Sequence, residues 1–417
     1  MLSDKINLFT QKCLKHIEML KLKDTLLNVS FNELCQFVDI IYCLSTCSEE
    51  SRYINCRFAI SSGVDCTDDM FLKFDSPIEF EIGQLTKVSL SSDFDRTQIV
   101  VEKNKLGNLE VVGICKYIET PLVFSVTDLF EDKEELCLFN ILIREPGVIS
   151  AFFGSSEIYT LNRGQICINQ LHTIVSSRSP SLLDEVISQT RIDIWNEIGD
   201  IKIGDYHISQ VLLTDYYDYF LMRIINKMNA LHHGGTLILC DDSKGIADKV
   251  NILYKVQDAG DSNQMYKKII EIGKKNTGFL NGDCRGTIRD YKEFKEAEYI
   301  ADSIAQLSSV DGAVLLSTKL QLLGFGTVIS FPQTKKSSFD YIDYDCIDSP
   351  SDCIKSLENR GTRHKSAYYL CKNYKVAAFV VSQDGGITCM AHNEGLGQRI
   401  GKTNLKVAVQ NSYSIVT

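Results

Sequence analysis

Positive charge is what this 417-residue chain lacks first: 44 Lys and Arg stand against 54 Asp and Glu, a net charge of −10. That balance excludes broad, non-specific nucleic-acid binding and leaves room only for a local basic pocket. Long apolar runs are lacking too. No stretch reaches the roughly 18 residues a membrane helix needs. The most apolar segment, Ala313 to Phe331, is broken by Lys319, Gln321 and several Gly, Ser and Thr residues. The start, Met1-Leu2-Ser3-Asp4-Lys5, has no apolar signal core and carries Asp4 where basic residues belong. Paired cysteines are the third absence. The chain has 15 cysteines, an odd number, scattered among apolar neighbours with no C-x-x-C pair, and only Cys43 and Cys47 sit close together. Zinc is not expected, and buried free thiols in a reducing compartment are. A cytoplasmic location follows as the expectation. No internal repeat or low-complexity tract stands out.

What is present reads as an ordinary globular protein: 44% hydrophobic and 24% charged residues over a length that suits two or three domains. Residues 1–50 carry apolar positions at helical spacing, with Ser30 and Glu33 placed for a capping box ahead of Phe31, Leu34, Phe37 and Ile40. Residues 51–180 change to short β-branched and aromatic runs. Strands are expected at Thr97 to Val101, Leu109 to Ile114, Cys137 to Ile143 and Val148 to Phe153, with turns at Lys105-Leu106-Gly107-Asn108 and Arg144-Glu145-Pro146-Gly147. Nothing there has catalytic spacing, and His172 is isolated. Ser176 to Ser181 is the best linker.

From residue 190 onward helices and strands alternate, which argues an α/β domain over 190–417. A long helix, Ile208 to Leu231, ends at His232-His233-Gly234-Gly235 and feeds an apolar strand, Thr236 to Cys240. The adjacent histidines suit the negative end of the helix dipole better than a metal. Asp241 to Asn281 reads as a polar, partly helical insertion. Glu293 to Leu307 is amphipathic, with Phe294, Ala297, Ile300, Ala301, Ile304 and Ala305 on one face. Strands, a polar loop over Ser330 to Asn359, a helix from Gly361 and the strand Val376 to Val381 follow.

Three stretches of this domain carry chemistry. Asp311-Gly312-Ala313 enters a strand, and a carboxylate there can hold a divalent cation or take a hydroxyl proton. Arg360-Gly361-Thr362-Arg363-His364-Lys365-Ser366-Ala367 joins four side chains able to carry positive charge to hydroxyls at a helix start, a pattern suited to phosphate oxygens. Alone, such a run is more often just a solvated basic helix start. Ser382-Gln383-Asp384 adds a second carboxylate after a strand. Gly401-Lys402-Thr403 imitates a phosphate-binding loop, but the required Gly is Leu396.

In order and wording these three stretches resemble the diadenylate cyclase (DAC-type) family. Its hallmarks are Asp-Gly-Ala, then Gly-Thr-Arg-His-Arg-x-Ala, then a strand ending in Ser-Glu-Glu. The chain keeps the first, substitutes Lys365 for the second Arg, and has Gln383 and Asp384 for the two acidic residues. His233-Gly234-Gly235-Thr236 and Gly324-Phe325-Gly326 are similar to that family as well, so the likeness spans roughly residues 208–395. It implies a mixed sheet flanked by helices in an α/β domain, and an enzyme that joins two ATP into cyclic di-AMP with release of pyrophosphate, using Mg²⁺ or Mn²⁺. It implies self-association, because two domains face each other with one ATP each. Asp311, with Gly312 and Ala313, would stand at the attacking hydroxyl and metal. Gly361, Thr362, Arg363, His364 and Lys365 would take the phosphates with Ser382 assisting, and Asp384 would be the second metal ligand. The preceding region resembles sensor regions found ahead of such domains in bacterial proteins linked to defence.

The substitutions bear on turnover. Lys365 loses the bidentate fork, Gln383 removes a carboxylate, and acidic residues Asp340 to Asp348 lie close in sequence to a site meant for polyanions. A module that binds a nucleotide or cyclic dinucleotide without turnover is therefore the alternative, and a structural interaction protein the third reading.

Overall fold

The structure is a computed structural model. It describes residues 2–19, 29–49, 52–61, 70–93, 96–117, 139–153, 156–169, 175, 181–199, 202–203, 206–207, 210–231, 233–241, 246, 250–256, 264–280, 292–330, 338–346, 353–383 and 386–415. The His172, His232 and Asp384 expectations, and all but the last residue of the Ser176 to Ser181 linker, lie outside the described residues. The chain divides into two units, residues 1–169 with 414–417, and residues 170–413.

The first unit contains helices α1 (Leu2–Met19), α2 (Phe31–Ser45) and α3 (Ile82–Ser89) and strands β1 (Ser48–Glu49), β2 (Arg52–Tyr53), β3 (Arg57–Ile60), β4 (Met70–Glu79), β5 (Thr97–Lys103), β6 (Leu109–Lys116), β7 (Phe139–Glu145), β8 (Val148–Phe153), β9 (Ser156–Asn162) and β10 (Gln165–Asn169). The strand Tyr413–Ile415, from the end of the chain, joins β10 at one edge of a nine-stranded sheet that continues β9-β8-β7-β3-β5-β6-β4. Its one parallel pair among the described registers is β3 with β5.

The capping box forms as the residues predict: Glu33 N donates to Ser30 Oγ, and Ser30 N donates to Glu33 Oε2 at 2.7 Å. Alternation along the strands sends Phe58 and Ile60, Ile99 and Val101, and Phe139, Ile141 and Ile143 into one core. Ile6 and Phe9 of α1, Phe37 and Ile41 of α2, and Leu85 of α3 pack into the same core. Residues read from the sequence as a helical lobe and a β-rich region thus share one hydrophobic interior. The two expected turns are present, each with glycine in the left-handed region, φ +91° at Gly107 and +74° at Gly147. Helix α3 was not anticipated.

The second unit begins with α4 (Asp184–Ile198), the short ladder β11 (Lys202–Ile203) and β12 (Tyr206–His207), and α5 (Gln210–Ala230). Then come β13 (Gly235–Cys240), β14 (Asn251–Lys255), α6 (Met265–Leu280), α7 (Lys292–Gln306), β15 (Ala313–Ser317), β16 (Leu322–Val328), β17 (Asp340–Asp343), β18 (Ile354–Ser356), α8 (Thr362–Asn373), β19 (Val376–Val381), β20 (Ile387–His392), α9 (Glu394–Arg399) and β21 (Val407–Asn411). The sheet order is β14-β16-β15-β13-β19-β20-β21-β17-β18, with β13·β15 and β17·β21 parallel and the rest antiparallel. It is the mixed sheet flanked by helices that was expected of this region.

Helix α8 covers one face, where Ala367, Leu370 and Cys371 meet Ile238, Cys240, Ala378, Val380 and Met390. The alternate residues Leu237, Leu239, Ala377 and Phe379, also buried, face the other way, and α5 packs against β19. The six apolar residues predicted for α7 are its buried set. Two expectations need correction. The insertion after Asp241 contributes a strand, β14, paired with β16. The polar loop before Gly361 contains the β17–β18 hairpin, which extends the sheet beside β21.

Candidate functional site

Strand order brings the three motif stretches to one edge of the second sheet. Because β13 and β15 are parallel with Thr236 opposite Ala313, the stretch before each, Gly234 and Asp311-Gly312, emerges on the same side. Strand β16 returns antiparallel, setting Thr327 against Ala313. Strand β19 also runs antiparallel to β13 with Val381 against Gly235, so Ser382 and Gln383 leave the sheet at that edge. Strand β20 starts there, with Ile387 opposite Val381, and β21 ends there, with Asn411 opposite Thr388.

Close backbone approach at this edge requires glycine. At Gly312, φ +112°, a Cβ would lie 2.5 Å from the Gly326 carbonyl carbon and 2.8 Å from Thr327 N. At Gly234, φ +64°, a Cβ would lie 2.8 Å from Arg363 Nη1 and 3.2 Å from Gln383 Cγ. Arg363 therefore reaches from the first turn of α8 to the start of β13, and Gln383 Nε2 donates to the His233 carbonyl at 3.4 Å. Asp311 is exposed at the same end of the sheet, two residues ahead of β15. Helix α8 opens on Gly361, in extended conformation (φ −65°, ψ 171°), with no side-chain cap, so its first amides are open to an acceptor oxygen.

The four cationic side chains of the basic run separate in space. Arg363 is the one that meets the edge. Lys365 extends over the Phe339 ring, its Nζ 5.6 Å from the centroid. Arg360 is exposed. His364 is buried, with 8% of its surface exposed, and its Nε2 lies 3.3 Å from Thr388 Oγ1. Burial, reinforced by the Arg360 charge, lowers its pKa from the ordinary 6.5 to about 4. Its contribution at neutral pH is a neutral ring and not a positive charge. Ser382 is half-buried, and its amide donates to the Gly386 carbonyl at 2.8 Å, closing the turn that carries Gln383.

The acidic hairpin ends on the same edge, because β17 runs parallel to β21. Its inner carboxylate is not free: Asp343 is buried and bonded to the Lys355 ammonium. The Gly401-Lys402-Thr403 stretch forms part of a turn after α9, with Lys402 N donating to the Gly397 carbonyl at 2.7 Å. The first amides of α9 are taken by Glu185, whose carboxylate accepts from Glu394 N at 3.1 Å and Gly395 N at 2.8 Å.

Asp311 and Ser382, at this end of the sheet, carry side-chain oxygens, the donor type that hard cations take. Among the described residues no three His, Cys, Asp or Glu side chains group as a metal cage, and no helix is long and apolar enough to cross a membrane. The sequence reading missed Thr388 and Asn411. Their one signal was a polar residue at the same end of each of two otherwise buried strands.

Residues 29–116, comprising α2 through β6 of the first unit, match the model of a family described as a probable sensor domain, DACNV. Neither the curated proteins nor the solved structures yield a match.

Proposed function

We propose that the second unit is a nucleotidyltransferase of the diadenylate cyclase type, joining two ATP into cyclic di-AMP, and that the matched sensor segment in the first unit controls it. The observation that carries this reading is a pair of close contacts at one sheet edge, Gly312 against Gly326 and Gly234 against Arg363 and Gln383, drawn from five separate stretches of chain.

In this reading the α8 amides and the Arg363 fork grip phosphate oxygens. Asp311 faces the ribose 3′-hydroxyl of the facing nucleotide. That hydroxyl forms a new bond to the α-phosphorus, its proton leaves, and pyrophosphate departs; a second, equivalent attack closes the ring. Mg²⁺ or Mn²⁺, held by Asp311 and phosphate oxygens, would offset charge on the leaving pyrophosphate. A facing site on a second copy would supply the other nucleotide. Gly361 and Thr362 begin the helix that offers these amides, Ser382 follows the end of β19, Lys365 lies off the edge over Phe339, and Asp384 completes the motif in sequence.

Purified full-length protein given ATP with Mn²⁺ should yield cyclic di-AMP by mass spectrometry, and Asp311→Asn should lower the rate by at least about a hundredfold. Undiminished product from Asp311→Asn would remove Asp311 from its role. The second reading, binding without turnover, is favoured by Gln383, which bonds a backbone carbonyl where the family has a carboxylate. Calorimetric ATP binding with no product in Mg²⁺, Mn²⁺ or Co²⁺ would establish it.

A further inference from the structure

Beneath the phosphate-facing turn of α8 lies a short polar chain inside an apolar interior. Thr388 Oγ1 donates to Asn411 Oδ1 at 3.0 Å, and His364 Nε2 lies 3.3 Å from the same Thr388 oxygen. Both His364 and Thr388 are buried. A hydroxyl has one hydrogen. Once Thr388 gives its hydrogen to Asn411, it can only accept from His364.

We propose that Asn411 and Thr388 are positioning residues acting through His364: they fix its ring as the Nε2–H tautomer and so anchor the first turn of α8, with Arg363 and the open amides, at the sheet edge. This rests on the nucleotide reading above for what is being positioned, but the relay itself does not. His364 is the third residue of α8, directly after Arg363. A ring free to turn would release the turn that aims the Arg363 fork, whereas a ring held from beneath by two adjacent strands fixes it. Buried neutral, His364 is no phosphate ligand here; its work is done from below.

The relay makes an atom-level prediction. With Asn411 accepting, the proton sits on Nε2. Asn411→Leu frees the Thr388 hydrogen to turn toward the ring, which favours the Nδ1–H form. Thr388→Val, nearly isosteric, removes the acceptor altogether. Thr388→Ser keeps it.

The test uses the full chain with ¹⁵N-labelled histidine, the His364 signals being assigned by their loss in His364→Gln. Long-range nitrogen–proton correlations at pH 7 should report a neutral Nε2–H ring in the wild type and in Thr388→Ser. Asn411→Leu and Thr388→Val should lose that dominance. Calorimetric affinity for ATP with Mg²⁺ should fall about tenfold in Asn411→Leu and Thr388→Val and recover in Thr388→Ser. Melting temperatures measured alongside separate misfolding from misplacement. An Nδ1–H or charged ring in the wild type overturns the relay. A correct tautomer with unchanged ATP affinity in Thr388→Val overturns the positioning role. A correct tautomer in a wild type that binds no ATP removes both the positioning role and the nucleotide reading, while the relay stands as a structural bond.

Discussion

The two nine-stranded sheets use glycine for different ends, and the contrast falls at the candidate site. In the first unit Gly164 lies in the left-handed region, φ +83°, at the β9–β10 turn, and a Cβ there would meet nothing within 4 Å. Gly312 in the second unit has the same backbone sign but touches another strand, with Gly326 inside the space a Cβ would need. One glycine turns the chain; the other lets two backbones meet where a carboxylate emerges. Side-chain-free backbone here lets β15 and β16 close tightly together just after the exposed Asp311.

The strongest way to break the contrast is to add the same methyl to both. Gly312→Ala should destabilise the second unit by about 3 kcal/mol or more, since it combines a disfavoured φ with a backbone clash that no side-chain rotation relieves. Gly164→Ala should cost about 1 kcal/mol, from φ alone. Urea unfolding of the two variants decides it, and equal losses would show that Gly312 is only a turn.

The same contrast separates what was legible in the sequence from what was not. Elements that state themselves locally were readable: the Ser30–Glu33 box, the apolar face of α7, the Gly107 and Gly147 turns, and the fully buried strand Val376–Val381. Strand β14 was not, because it is an exposed sheet edge whose residues carry no alternating apolar signal. The β17–β18 hairpin was missed for a similar reason, being short and rich in acidic residues. Within the site, the motif letters gave residue types, but the meeting of Gly234, Arg363 and Gln383 depends on strand order. The charge of His364 depends on burial. Neither is a property of neighbours in the chain, and so four apparent cations became one at the edge.

Acid should separate the units in the next rank of effect. The His364 pKa is lower in the folded state, about 4, than the ordinary 6.5. The unfolded chain then binds more protons between those values, so this stability is complete above pH 6.5 and lost as pH falls toward 4. The expected loss approaches about 3 kcal/mol. Glu33 in the first unit is held down to about 2, chiefly by its bond to Lys103, with the Ser30 amide adding to it. Its contribution is complete above its ordinary 4.5 and lost only as pH falls from there toward 2. Denaturation followed from pH 7 to pH 4 should therefore weaken the second unit first, and His364→Gln should flatten that early slope. A first unit that weakens earlier would reverse the assignment.

The smallest effect tests the first unit where its structure is most local. Ser30 and Glu33 satisfy one another's amides at the start of α2, and α2 carries Phe37 and Ile41 into the shared core. Ser30→Ala should cost about 1 kcal/mol, and Ser30→Gly only a few tenths. Because the cap lies inside the segment that matches a sensor domain and far along the chain from Asp311, the loss should appear in hydrogen exchange of the α2 amides and leave the proposed ATP affinity unchanged. A fall in that affinity on so mild a change would mean that the start of α2 is coupled to the sheet edge. The contrast between a self-contained first unit and an edge built by crowded backbones would then have to give way to a single cooperative structure.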